Sequence, residues 1–421
     1  MRSGARTSRS TCKRGPDTLR LPLAVARRET KPVALREQAD SLLRRAVEEG
    51  EVPGVVAMAT DRNGPIYEGA FGRRVLGQPA PMTADTVAWI ASMTKALTAT
   101  AAMQLVEEGK LDLDAAASRW IPELGSVQVL EGFDDAGEPR VRPPKRPVTL
   151  RHLLTHTAGF GYAVWSEAVG RYQQAKQIPT TGTCKNAALR LPLLFDPGER
   201  WWYGINIDWT GKVVEAASGA TLGAVLRQNL FGPLGMDSTA FKITPSMRER
   251  LAKVHQRGDD GGLQPLDFEV PQEPEFEMGG GGLYSTAVDY LRFVRMILNR
   301  GAGDTARVLQ AETVELMSRN HIGELDVTPL KSTMPLVSND AEFFPGVAKK
   351  WGLSFMINAE PAPTGRSAGS LAWGGLGNTY FWIDPAQGVG GVYVTQIMPF
   401  ADRKSLPLFH AFETAVYRSL G

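Results

Sequence analysis

Cysteine is scarce, with two in 421 residues, Cys12 and Cys184. Two thiols give no disulfide framework and no zinc-ligand spacing. Nothing near Cys184 supplies the histidine that a catalytic thiol needs, so it reads as a structural residue. Long apolar runs are missing too: no stretch approaches the ~18 uninterrupted apolar residues of a membrane span. Ser92 does not sit in a Gly-x-Ser-x-Gly elbow, which argues against a Ser-His-Asp triad built on it and His156. The run Gly279–Gly282 lacks the Lys-Ser/Thr of a phosphate loop and reads as a tight turn feeding the next helix.

Net charge is small, +2, but unevenly spread. Residues 1–31 carry nine Lys/Arg against two Asp/Glu, a net +7 that leaves −5 for the rest. That segment has neither aromatic interleaving nor an apolar face, so 1–32 reads as a disordered basic tail or as residues ahead of the true start. Arg27-Arg28 is followed by Glu-Thr-Lys-Pro rather than an apolar run, and Leu21–Ala26 is too short for a secretory core. No nucleic-acid or membrane partner is expected, and a cytoplasmic location is. Hydrophobic residues at 43% and charged residues at 22% describe an ordinary soluble globular chain. Its length favours two domains, or one with a large insertion.

What is present begins with helical spacing at Leu35, Ala39, Leu42, Leu43, Ala46 and Val47, closed by Gly50. Two strands follow, Gly54–Thr60 and Ile66–Gly72, around the turn signal Asp61-Arg-Asn-Gly64. The spacing over 92–109 predicts a strong helix with Ser92 at its start and Gly109 at its end. From 116 to 274 prolines alternate with short helical pieces and strand patterns are scarce, so this reads as a mostly helical lobe. The segments 33–115 and 275–421 make up an α/β lobe. Its C-terminal part carries a meander over Leu371–Gly377, Thr379–Ile383 and Gly391–Ile397, then a helix over 402–419. The expected class is α+β: an antiparallel sheet flanked by N- and C-terminal helices, with a helical second lobe. A cleft between lobes is a common ligand site.

The chemistry centres on Ser92-Met93-Thr94-Lys95. Residues three apart on a helix share a face, so Lys95 reaches Ser92. A serine hydroxyl needs a base to become a nucleophile. A lysine serves only where desolvation or a neighbouring cation lowers its pKa from about 10.4. Alone the motif is weak, since Ser10-Thr-Cys-Lys13 matches it as well.

More text surrounds it. The helix after Ser92 runs into Glu107-Glu-Gly-Lys-Leu-Asp-Leu-Asp114. Leu153-Leu-Thr-His-Thr-Ala-Gly159, Pro197-Gly-Glu-Arg-Trp-Trp-Tyr203, Gly281-Gly-Leu-Tyr-Ser-Thr286 and Trp373-Gly-Gly-Leu376 follow in order. With these motifs the chain resembles the serine β-lactamase and penicillin-binding-protein superfamily, and most closely the β-lactamase-like (family VIII) carboxylesterases. The resemblance implies the β-lactamase-like fold. It also implies Ser92, Lys95 and Tyr203 as catalytic residues, and the backbone N–H groups of Ser92 and Leu376 as the oxyanion hole. Lys95 and Tyr203 are expected to titrate as a coupled pair, and either could take the first proton. The superfamily's Tyr-x-Asn is displaced by one in Tyr203-Gly-Ile-Asn206, so Asn206 and Asp208 stay outside the catalytic set, as turn or capping residues.

No Lys-Thr-Gly exists in the chain. The matching strand reads Trp373-Gly374-Gly375, which exchanges a carboxylate-binding cation for an apolar wall and makes these three the expected substrate-binding residues. The resulting expectation is a carboxylesterase that hydrolyses short-chain acyl esters through an acyl-serine, with weak β-lactam hydrolysis compatible with it. The alternatives are a β-lactamase or D-alanyl-D-alanine carboxypeptidase, or an acyltransferase using the same acyl-enzyme. The substrate is a small-molecule ester, no metal or organic cofactor is implied, and the oligomeric state is left open.

Overall fold

The computed structural model of the chain describes residues 23–421. Seven strands form one antiparallel sheet: β1 (Gly54–Asp61), β2 (Pro65–Gly72), β3 (Lys349–Trp351), β4 (Met356–Asn358), β5 (Leu371–Gly375), β6 (Thr379–Asp384) and β7 (Val389–Val394). Their order is β2-β1-β7-β6-β5-β4-β3, so the N-terminal hairpin pairs with the end of the C-terminal meander. The turns are built as their residues suggest. Asp61 Oδ1 accepts the N–H groups of Asn63 (2.7 Å) and Gly64 (3.0 Å). Asp384 Oδ1 does the same for Ala386 and Gln387 between β6 and β7.

Every residue of β6 and β7 is buried, because helices cover both faces of the sheet. Successive residues of β6 point to opposite faces. Tyr380 and Trp382 meet Phe409 and Phe412 of α5 (Ser405–Leu420), with the rings of Tyr380 and Phe409 stacked at 4.7 Å. Phe381 meets Tyr290 of α4 (Ala287–Leu298) on the other face at 5.2 Å. Helix α1 (Leu23–Glu48) packs beside α5 and against β2 through Leu35, Ala39, Leu43 and Ala46. Residues 23–32 therefore belong to a helix rather than to the expected disordered tail; the remainder of that tail, 1–22, lies outside the described residues.

Helix α2 (Thr94–Glu107) is buried on all sides from Thr94 to Leu105, as a helix at the centre of a large core must be. It packs on α3 (Asn206–Ser218), while the turn leading into it packs on β5 and β6. One short stretch thus ties the sheet to the inserted segment, and the buried apolar residues of both form one contiguous core. The segment 116–274 holds α3, a ten-residue helix (Glu167–Lys176), several shorter helical turns and two β-hairpins, His255–Arg257 with Leu263–Pro265 and, earlier, Val129–Phe133 with Pro139–Arg142. The scarcity of strand patterning hid the earlier hairpin, whose outer strand is largely exposed and charged.

The loop between β4 and β5 is fastened to α5 by a buried ion pair. Arg366 Nε donates to Glu413 Oε1 at 2.9 Å, its other nitrogen reaches Oε2, and Thr364 adds a third donor. Their side chains are 2% and 0% exposed. Arg366→Met would leave the carboxylate buried without its counter-charge, at a cost of roughly 3–5 kcal/mol. The expected result is a lower urea midpoint at unchanged m-value, with most of the loss recovered when Glu413 is replaced by leucine in the same chain.

Candidate active site

The chain enters the site along a two-residue strand, Ala88–Trp89, paired with Tyr284–Ser285. Ala91 then takes a left-handed backbone, φ +44°, which costs a non-glycine residue about 1–3 kcal/mol. The surroundings hold it there. Ile90 N–H donates to Leu283 O (3.0 Å), Met93 N–H to Ile90 O (3.0 Å), and the Tyr290 hydroxyl to Met93 O (2.9 Å). Ser92 consequently sits in a 3₁₀ turn, Ala91–Met93, and α2 starts only at Thr94. The sequence spacing placed Ser92 at the helix start; the bend at Ala91 delays the helix and turns the serine toward a cavity.

One turn on, Lys95 is 1% exposed. Its Nζ lies 3.1 Å from Ser92 Oγ, 3.2 Å from Tyr162 Oη and 2.6 Å from Gly280 O. It also lies over the ring of Tyr203, 4.7 Å from the centroid. Three oxygens around one amine nitrogen use all of its hydrogen-bonding directions.

Tyr203 is present at the site, but its hydroxyl points away from the amine and accepts a 2.9 Å hydrogen bond from Trp373 Nε1. The oxygen beside Lys95 belongs to Tyr162, which sequence reasoning passed over although it follows the quoted Thr157-Ala-Gly159 text by three residues. Tyr162 in turn donates to Asp208 Oδ2 at 3.3 Å, and Asp208 Oδ1 accepts the Gly280 N–H at 2.8 Å. Asp208 was set aside as a turn or capping residue; its carboxylate instead faces the site. Burial pushes the Tyr162 phenol well above its ordinary range, with the Asp208 charge adding to the rise. Burial raises the Asp208 carboxyl as well, opposed by the Lys95 charge.

Trp373 was expected to offer substrate an apolar wall. It does not line the cavity: its indole is 5% exposed, packed against Tyr203, Trp351 and Phe343, where its N–H is used by Tyr203. Gly374 and Gly375 serve close packing. A Cβ at Gly374 would stand 2.6 Å from the Tyr380 ring, and one at Gly375 2.3 Å from Ile90 O. The second contact is what lets β5 press against the Ser92 turn. Leu376, just beyond, lines the cavity together with Ser92.

That cavity measures about 300 Å³ and carries no charged side chain in its lining. Aromatic residues Trp89, Tyr162, Trp165 and Phe268 form much of its wall, with Met278, Met334 and Met398. The residues around 334–337, in a long irregular segment, close one side.

His156 lies deep in the fold, fully buried. Its Nδ1 is 2.9 Å from the Asn206 amide, and burial holds it well below its ordinary pKa. It makes no contact with Ser92 of the kind a triad would need. Cys184 is buried and free, and burial pushes its thiol up to about 12. Among the described residues no group of His, Cys, Asp and Glu is gathered to hold a metal, and no helix is long and apolar enough to cross a membrane.

A family profile described as Beta-lactamase matches residues 39–414. The chain is 34% identical to monacolin J acid methylbutanoyltransferase of Aspergillus terreus over 404 residues, covering 92% of this chain and 96% of that protein. It is 31% identical to lovastatin esterase of Penicillium rubens, covering 90% and 98%. Among solved structures, a variant of simvastatin synthase (LovD) from Aspergillus terreus aligns with a TM-score of 0.79 at 33% identity, over 94% of this chain and 97% of that one. Fold, ordered motifs and these relatives agree: the chain belongs to the β-lactamase family, on the branch whose named members transfer or hydrolyse acyl groups.

Proposed function

We propose that the protein is a serine acyltransferase that passes an acyl group through Ser92 to an apolar alcohol, with hydrolysis as the competing fate of the same acyl-enzyme. The observation that carries this is the placement of the Ser92–Lys95 pair on an apolar cavity with no charged residue in its lining. Such a cavity disfavours the carboxylates of β-lactams and peptides, whose desolvation nothing there would offset. Its volume suits a drug-sized neutral molecule. Relatives named for acyl transfer, from two organisms and each 34% identical, support transfer over the simple carboxylesterase expected from sequence.

In this reading Ser92 Oγ attacks the donor's carbonyl while Lys95 takes its proton. The N–H groups of Ser92 and Leu376 hold the oxyanion, each donor contributing about 2.7–4 kcal/mol in hydrolases. The leaving alcohol or thiol recovers the proton. The acceptor hydroxyl then enters by the same face, gives its proton to the same base, which passes it to Ser92 Oγ as the acyl–serine bond breaks, and carries off the acyl group. Apolar walls favour the organic acceptor over water, which is how one acyl-enzyme serves transfer rather than hydrolysis. Trp373 and Tyr203 act here by their mutual hydrogen bond, which orients the ring beneath Lys95.

The carboxylesterase is the second reading, favoured by the esterase relative. Partitioning decides between them. With a p-nitrophenyl ester of a short branched acid as donor and a neutral bicyclic alcohol such as decahydronaphthol as acceptor, acylated acceptor should exceed free acid at saturating acceptor. Free acid alone, with nitrophenol release unaffected by acceptor, would establish the esterase. In either case Ser92→Ala should lose at least about a thousandfold in nitrophenol release, together with labelling by a fluorophosphonate. Retained labelling would displace Ser92 as nucleophile.

A further inference from the structure

Resting on the acyl-serine reading of this site, we infer that Asp208 is a positioning residue for the base: through Tyr162 and the Gly280 peptide it orients Lys95 and faces, with a negative charge, the ammonium formed when Lys95 takes the Ser92 proton. The geometry is a closed ring of contacts. Lys95 Nζ touches Tyr162 Oη (3.2 Å) and Gly280 O (2.6 Å). Asp208 takes the other side of both partners, the Tyr162 hydroxyl (3.3 Å) and the Gly280 N–H (2.8 Å). One carboxylate, itself fully buried, therefore fixes the two groups that aim the amine, and neither could rotate without leaving that carboxylate short of a hydrogen bond.

The glycine run serves this contact. A Cβ at Gly280 would stand 2.6 Å from Asp208 Oδ2, so only glycine allows the 279–282 turn to lie against the carboxylate. The charged and titratable groups around Asp208 are Lys95 from α2, Tyr162 before the Trp165 turn, and Cys184 from the inserted segment. Tyr203 faces Tyr162, and His156 faces Lys95. Lys95 is the one cation in that set, with His156 held neutral by burial.

The step balances without a change in the protonation of Asp208. The Ser92 O–H bond breaks, Oγ bonds to the acyl carbon, the carbonyl electron pair moves to oxygen, and the proton resides on Lys95 Nζ. The carboxylate, 0% exposed, compensates the new positive charge on an amine that is 1% exposed, the service the aspartate performs for histidine in Ser-His-Asp enzymes.

The test is single-turnover acylation of the full chain by a p-nitrophenyl ester, followed across pH for wild type, Asp208→Asn and Tyr162→Phe. A nitrophenol burst from the wild type secures the acyl-serine reading first; without that burst the reading of the whole site fails, and the Asp208 role with it. Given the burst, Asp208→Asn should acylate at least about tenfold more slowly on the pH plateau. Its acid limb should also move to lower pH, because the charge that favours a protonated base is gone. A merely structural loss would lower the plateau and leave the limb in place, which would overturn the inference, as would a rate within twofold of wild type. Should Asp208→Asn fail to fold, Tyr162→Phe keeps the ring packing and removes only the bridging hydroxyl. It should fold cooperatively, with a Tm lowered by no more than roughly 10 °C for the lost hydrogen bonds, and acylate at least about tenfold more slowly; a wild-type rate from it would refute the bridge.

Discussion

A primary amine deep in a protein must have its hydrogen-bonding directions met, and this requirement organises the molecule around Lys95. Its three oxygen partners come from the turn before α2, the Tyr162 loop and the glycine turn ahead of α4. Those segments stand far apart in the chain and are brought together because α2 packs on α3 while its leading turn packs on β5 and β6. Displacing any of the three would strand a buried polar group, at a cost of about 1–3 kcal/mol for a neutral group and more for a charged one. The sheet, the inserted segment and the glycine turn are thereby held to one geometry by a single nitrogen.

The strain at Ala91 belongs to the same arrangement. A left-handed residue ahead of Ser92 is tolerated because the carbonyl, hydroxyl and amide contacts on either side hold it there. The bend lies ahead of the serine, and the 3₁₀ turn then runs directly into α2, so Ser92 at its start faces the cavity while Lys95, one turn on, is inside the core.

The legible part of the sequence was the part governed by local rules. The strands of the meander, the turns at Asp61 and Asp384 and the helices α2, α4 and α5 follow from alternation, helical spacing and turn residues, and they appear within a few positions of where the pattern put them. The Ser92–Lys95 proximity was legible for the same reason. What escaped was set by contacts distant in sequence. Trp373 reads as a wall because its strand lines the site; whether its indole faces the cavity or Tyr203 depends on a residue 170 positions away. Tyr162 and Asp208 are 46 positions apart, and nothing in either neighbourhood signals the other. The hairpin at 129–142 lacks the apolar alternation that would announce strands, because much of it faces solvent.

Three methionines, Met278, Met334 and Met398, stand in the wall of the cavity. Their side chains are unbranched and their thioethers polarisable, so they fit irregular shapes at little cost. A wall of this kind measures a guest by the apolar area it offers more than by its outline. Such a wall meets a differently shaped guest with a different set of rotamers rather than a rebuilt scaffold. The same sulfurs are its weak point under oxidation, since each sulfoxide would set a polar group where the guest has none to match it.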